Sequence, residues 1–177
     1  MEILKNLLQK TNITYLQIVN QEADDLIASF IKKSHKIYPA ITFDIFTRDK
    51  DLLQLLSEKV SIWKYVAKKL TLYTAEDFFH EYNFLPDNYT DYLSLLGDNI
   101  DNIPGVKGIG PVNAKKLIQQ FQSIENIYQE IDKLPENMRE TVKNNKELVY
   151  QNKQIISLDK NIPLIIKIEE CAFDWEK

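Results

Sequence analysis

All four glycines of this 177-residue chain fall in one stretch, GDNIDNIPGVKGIG, at positions 97, 105, 108 and 110. A chain that withholds glycine elsewhere and concentrates it here needs backbone freedom, or a close approach, at one place. The chain also divides near residue 85 into unlike halves, and the loop lies in the second. In the first, short β-branched and aromatic runs alternate with amphipathic stretches; in the second, the apolar residues recur at helical spacing.

In the first half, ITYLQIV (13–19) predicts a strand, and QEADDLIASFIKKSHK a helix with Ala23, Leu26, Ile27, Phe30 and Ile31 on one side. AITFDIFT (40–47) predicts a second strand, DKDLLQLLSE a helix, and VSIWKYV (60–66) a third strand. This β-α-β-α-β order with short links predicts a parallel sheet with right-handed crossovers. KKLTLYT reads as a small hairpin return, and Thr74 and Asp77 have capping-box spacing at the head of TAEDFFHEYN. Then come TDYLSLLG, PVNAKKLIQQF, SIENIYQEI, PENMRETVKNN and KELVYQNKQIISL, all helical, and IPLIIKIE as a last extended segment. The expected fold class is α/β: a parallel central sheet with flanking helices over residues 1–85, followed by a helical part over 86–177.

Composition removes several function classes. One cysteine, Cys171, excludes an internal disulfide framework and a cysteine-based zinc site. No apolar run spans a bilayer and no signal peptide is visible, so a reducing cytoplasmic setting is expected. With 26 acidic against 22 basic residues, the net charge of −4 does not suit a protein that coats nucleic acid by bulk charge. It leaves room for a local basic face beside a local acidic cluster.

The acids do cluster. Glu22, Asp24 and Asp25 follow the first predicted strand, and Asp49 and Asp51 follow the second. Open parallel sheets bind ligands at the carboxyl ends of their strands, and neighbouring strands lie about 5 Å apart. Each cluster alone also reads as ordinary acidic capping of a helix start. Together, five carboxylates on one sheet edge repel one another unless a cation sits among them. All-oxygen ligation points to Mg²⁺ or Mn²⁺. Asp98 and Asp101 join the set if the glycine loop folds back on that edge; otherwise GDNID is helix-end and turn chemistry.

The glycine loop leads into a helix with Gly110 at its cap and Pro111 at its first position. Gly105, Gly108 and Gly110 expose backbone N–H groups, and Lys107, Lys115 and Lys116 lie beside them. N–H groups at a helix N-terminus hold phosphate. The loop is neither a Walker loop nor a dinucleotide fingerprint. It suits a nucleic-acid backbone phosphate, without base readout.

The motifs EADDLI (22–27), DKDLLQL (49–55) and GDNIDNIPGVKGIG (97–110), in this order, resemble the 5′-nuclease family, which includes the 5′→3′ exonuclease domain of bacterial DNA polymerase I and flap endonucleases. The likeness runs from about residue 4 to Leu164. It implies a PIN-like first part and a helix–turn–helix element that grips duplex DNA, with K⁺ held by its loop carbonyls. It assigns Glu22, Asp24, Asp25, Asp49, Asp51, Asp98 and Asp101 to metal binding and implies divalent-metal hydrolysis at 5′ ends or flaps in replication and repair. It also implies an N-terminal segment, with further metal-binding acids, that this sequence does not contain. A polymerase, or that segment on another chain, is therefore an expected partner. Val112 and Asn113 stand where the family often has Lys and Thr, and Arg48 where it has a small residue beside the acids.

A second reading is a duplex-binding module that kept the loop and lost catalysis. A third, an unrelated Mg²⁺-dependent hydrolase, lacks a phosphate cradle directly after a strand. His35, His80 and Cys171 carry no functional reading, and Trp63, Tyr65, Tyr73, Tyr82 and Tyr92 are expected in the core. Lys64, Lys68 and Lys69 form a basic patch that suits either DNA or a solvated hairpin.

Overall fold

The computed structural model describes residues 2–11 and 13–171. They fall into two compact units, one built from 1–41 with 159–177, the other from 42–158.

The first unit contains helices α1 (Glu2–Lys10) and α2 (Ala23–Ile37). α2 buries Leu26, Ala28, Ser29, Ile31 and Ser34. Its polar anchor is Ser29, whose hydroxyl donates to the Asp159 carbonyl at 2.9 Å and accepts from the Ile162 amide at 2.9 Å. Lys33 donates to the carbonyls of Leu164 and Ile166, so the returning C-terminal segment is pinned along α2. The predicted strand at 13–19 does not form: residues 13–18 are irregular and lead into a turn. Leu16 and Ile18 are half-buried while Ile13, Tyr15 and Val19 are exposed, so the strand-like alternation survives. A strand also needs a ladder partner, which alternation cannot supply. IPLIIKIE is likewise irregular, ending in a short 3₁₀ turn at Ile168–Cys171.

The second unit holds the sheet and the remaining helices. β1 (Phe43–Phe46) pairs in parallel with β2 (Val60–Val66), and β2 pairs antiparallel with β3 (Lys69–Tyr73). The sheet is therefore mixed rather than wholly parallel. The expected hairpin return is present, and its two-residue turn places Ala67 (φ 48) and Lys68 (φ 66) in the left-handed region. Positive φ at both central positions matches the right-handed twist of a tight hairpin. The expected helix at DKDLLQLLSE shrinks to a 3₁₀ turn, Asp51–Leu55. Leu52, Leu53, Leu55 and Leu56 are all buried, which leaves no polar side for a longer amphipathic helix.

Helix α3 (Ala75–Tyr82) opens with the expected capping box: the Thr74 hydroxyl accepts from the Asp77 amide, and the Asp77 carboxylate accepts from the Thr74 amide. α4 (Tyr89–Leu96), α5 (Pro111–Phe121), α6 (Ile124–Gln129), α7 (Glu136–Asn144) and α8 (Lys146–Ile156) complete the unit. Phe78, Tyr82, Phe84, Tyr89 and Tyr92 form one aromatic cluster between α3 and α4. Tyr73, Tyr82 and Tyr92 thus pack inside as expected. Tyr65 does not: it is 63% exposed, and the Arg48 guanidinium lies 5.9 Å from its ring centre.

Candidate metal and nucleic-acid site

The glycine loop joins α4 to α5 and is built on three apolar anchors. Ile103, Val106 and Ile109 are buried, while Lys107, Gly108 and Gly110 between and beyond them are exposed. The Asp98 and Ile103 backbones exchange two hydrogen bonds, at 2.9 and 2.8 Å, and the Val106 amide donates to the Leu95 carbonyl at 2.9 Å. The loop is thereby closed at its base and offers its tip to solvent.

The glycines divide into two roles. Gly97 (φ +77) and Gly105 lie backbone to backbone: a Cβ at Gly105 would sit 1.9 Å from the Leu96 carbonyl oxygen. The missing side chain of Gly105 therefore serves internal packing before any ligand. Gly108 (φ +93) takes a left-handed conformation, and a Cβ at Gly110 would meet open space. Gly110 caps α5 without a side chain, and Pro111 follows it, so the first turn of α5 presents backbone N–H groups outward.

The lysines also separate. Lys107 and Lys116 are exposed. Lys115 is half-buried and donates to the Glu81 carbonyl at 2.6 Å, so its ammonium satisfies the end of α3.

Among the acids of the second unit, Asp49 stands just after β1 and before the 3₁₀ turn, where its Oδ1 accepts from the Asp51 amide at 3.0 Å. Asp98 Oδ1 accepts from the Ile100 amide at 2.7 Å, an Asx turn that shapes the loop start. Asp101 is exposed and Asp51 half-buried. Arg48, next to Asp49 in the sequence, lies over the Tyr65 ring. Among the described residues, no lysine or arginine forms an ion pair with Asp49, Asp98 or Asp101. In the first unit, Glu22 is the exposed N-cap residue of α2, and Asp25 Oδ1 accepts from the Asp159 amide at 2.8 Å. Asp24 lies in the same first turn. Because 13–19 is not a strand, the sheet-edge reasoning that set these three opposite Asp49 and Asp51 loses its support.

The donor chemistry of these carboxylates suits an oxygen-seeking divalent ion. The geometry goes less far: among the described residues, no three His, Cys, Asp or Glu side chains converge closely enough to hold a metal ion.

Sequence reading missed the polar hubs that fix the loop. Asn152 on α8 is buried and donates to the carbonyls of Ser94 (3.1 Å) and Pro104 (2.8 Å), tying α8 to both ends of the glycine loop's base. Gln54 is buried and donates to the Ile156 carbonyl while accepting from Thr90 and from the Leu158 amide. Lys153 pairs with buried Asp91 at 2.7 Å and with Glu125 at 3.0 Å. Burial pushes the Asp91 carboxyl up, against the pull of Lys153. Burial also opposes ionisation of Glu125 and Lys153, but their mutual hydrogen bonds prevail, lowering Glu125 and raising Lys153. The only sequence signal was a polar residue at an otherwise apolar helical position, as at Asp91 and Asn152.

Comparison with known proteins adds to this geometry. Two family profiles match, "5′-3′ exonuclease, N-terminal resolvase-like domain" over 1–83 and "5′-3′ exonuclease, C-terminal SAM fold" over 84–176. The 5′-3′ exonuclease of Halalkalibacterium halodurans is 39% identical over 129 residues, 73% of this chain and 42% of that protein. Thermostable DNA polymerase I of Thermus thermophilus is 37% identical over 127 residues, 72% of this chain and 15% of the polymerase. Among solved structures, T5 5′-exonuclease with bound zinc superposes with a TM-score of 0.74 at 27% identity, covering 89% of this chain and 58% of that one. A T5 flap endonuclease complex with DNA and metal ions gives 0.71 at 26%, over 90% and 58%. The chain thus spans less than half of the curated exonuclease it matches.

Proposed function

The chain belongs to the 5′-3′ exonuclease family, and on that premise we propose that it hydrolyses phosphodiester bonds at 5′ ends or 5′ flaps of duplex DNA. The observation that carries this reading is the loop. An exposed, glycine-formed helix entrance with Lys107 at its tip stands directly after Asp98 and Asp101, acids that no lysine or arginine pairs with among the described residues. Uncompensated carboxylates beside a phosphate track would weaken a pure binder by like-charge repulsion.

In this reading, the first-turn amides of α5 and the Lys107 and Lys116 ammonium groups hold a backbone phosphate, and Gly108 and Gly110 let it come close. Asp49, Asp51, Asp98 and Asp101 would hold Mg²⁺ or Mn²⁺ in the second unit, and Glu22, Asp24 and Asp25 are the metal-binding acids proposed in the first. A bound divalent ion supplies an acidified water and a counter-charge for the displaced oxygen. Asn152 positions the reacting loop by clamping its base. Loop carbonyls would take a K⁺. T5 relatives are known with metal ions and with DNA, which supports the metal and substrate classes. Expected partners are duplex or flapped DNA, a polymerase, and polypeptide corresponding to the relatives' uncovered length. No helix among the described residues is long and apolar enough to cross a membrane, which accords with a cytoplasmic setting.

Incubation of the chain with labelled 5′-flap DNA and Mg²⁺ or Mn²⁺ tests the proposal. Metal-dependent cutting that an Asp98→Asn, Asp101→Asn double variant loses is the expected result. Cutting that ignores both substitutions, or no cutting at all, overturns it. Lys107→Ala should weaken duplex binding equally for every sequence and flatten its salt dependence; a sequence-dependent loss contradicts backbone recognition.

A further inference from the structure

Lys115 and Lys116 are adjacent in the sequence and have unlike surroundings in the fold. Lys116 is exposed, whereas Lys115 is half-buried and its ammonium donates to the Glu81 carbonyl at 2.6 Å. One turn further along α5, the Gln119 side-chain amide donates to the Tyr82 carbonyl at 2.9 Å. Both acceptors lie in the last turn of α3, whose carbonyls lack partners within the helix. Lys115 also sets a positive charge at the negative end of α3. The contact is returned behind: the Asn88 side-chain amide donates at 2.6 Å to the carbonyl of Gln122, the C-cap of α5. α5 buries Ala114, Leu117, Ile118 and Phe121. Apolar burial has no preferred direction, but hydrogen bonds do. The three polar contacts therefore fix the roll and slide of α5, and with them the direction in which Gly110 and the first-turn amides point. The far end of this brace reaches the sheet. The Tyr73 hydroxyl on β3 donates to the Glu81 carboxylate at 2.5 Å, and the Lys64 ammonium of β2 lies 3.2 Å from the Tyr73 ring centre. β2 pairs with β1, the strand that Asp49 follows. α5, α3 and the sheet are thus tied in series within one compact unit.

We propose that Lys115 and Gln119 are positioning residues: by capping α3 they fix the direction of the α5 entrance and its distance from Asp49 and Asp51, and they touch no DNA themselves. The inference deepens the nuclease reading and rests on it for the consequence, which is that a phosphate held at the entrance stands at a set distance from the sheet-borne acids. Of the two adjacent lysines, Lys116 meets phosphate directly and Lys115 acts through the fold.

Two readouts on the full chain test this, each below the melting temperature of the variant used. The first needs no DNA. Spin labels at Val112→Cys and Tyr65→Cys, both exposed positions, in a Cys171→Ser background report the distance from the α5 entrance to the sheet by double electron–electron resonance. Lys115→Met and Gln119→Leu should each shift or broaden that distance, and Lys116→Met should leave it alone. The second readout is binding of a labelled duplex by the unlabelled chain, followed by fluorescence anisotropy across a range of salt. Lys115→Met and Gln119→Leu should each weaken binding about tenfold with the slope of log affinity against log salt unchanged. Lys116→Met should lower that slope by about 0.9, the loss of one phosphate contact. A distance that neither Lys115→Met nor Gln119→Leu moves overturns the proposal. So does a Lys115→Met slope that falls like that of Lys116→Met, which would make Lys115 a phosphate ligand, and so does a moved distance with affinity unchanged. A wild-type chain that binds no duplex sinks the nuclease reading alone, because the distance still reports the brace.

Discussion

The helical region around the glycine loop and the three-stranded sheet belong to one compact unit, yet they are finished to different degrees. In the helical region, three polar hubs meet partners within the unit: Asn152 holds two carbonyls, Gln54 ties three elements, and Lys153 neutralises Asp91. In the sheet, one face packs Ile45, Val60 and Ile62 inside while the other leaves Phe46 and Tyr65 in water. The difference teaches where the stability of the unit resides. The loop is held by short-range, mutually dependent contacts, and the sheet's outer face holds almost nothing together in this chain.

Substitutions should expose that contrast. Gly105→Ala is the most damaging expected, about 4 kcal/mol in chemical denaturation, because its Cβ would overlap the Leu96 carbonyl and neither backbone can retreat. Gly110→Ala, facing open space, is its control and should cost under about 1 kcal/mol. A small effect at Gly105 would mean that the loop base is softer than the helical region is held to be.

Lys153→Met should cost about 3 kcal/mol at neutral pH, since it leaves Asp91 buried and charged without a partner. The pH dependence has a definite sign. Asp91, raised by burial, adds stability below its unfolded value and loses it as pH rises through its folded one. Glu125, lowered on balance, adds stability above its unfolded value and loses it as pH falls through its folded one. Without Lys153, Asp91 resists ionisation more strongly and Glu125 loses its pairing. The gap in melting temperature between wild type and variant should therefore shrink between pH 7 and pH 4. A constant gap would remove the ion pair from the account.

Asn152→Ala should cost about 2 kcal/mol by orphaning the Ser94 and Pro104 carbonyls. It should also weaken duplex binding without contact to DNA, as measured by fluorescence anisotropy. Last, Tyr65→Lys on the open sheet face should change stability by no more than about 0.5 kcal/mol. A large loss there would show that the face is already structural in the isolated chain, and would erase the comparison.

Much of this was legible without coordinates because it depends on local chemistry. The capping box at Thr74 and Asp77, the amphipathic α2, the hairpin return and the Gly110–Pro111 helix entrance are each written in neighbouring residues. What failed to read depends on partners distant in the chain. ITYLQIV alternates like a strand and has no ladder beside it; DKDLLQLLSE spaces like a helix and is buried on too many sides. Gly105 read as freedom to meet a phosphate, whereas its nearest neighbour is the chain's own Leu96 carbonyl.

The sequence by itself determined the family, the acidic motifs and the glycine-formed entrance to α5, because those rest on residue type and spacing of a few positions. Only the tertiary structure decided that Lys115 is spent on α3, that Arg48 stacks on Tyr65 and that Asn152 clamps the loop. Only it showed one sheet face uncovered. Hydrogen bonds and burial are made between residues the chain brings together by folding, and no local pattern encodes which ones they will be.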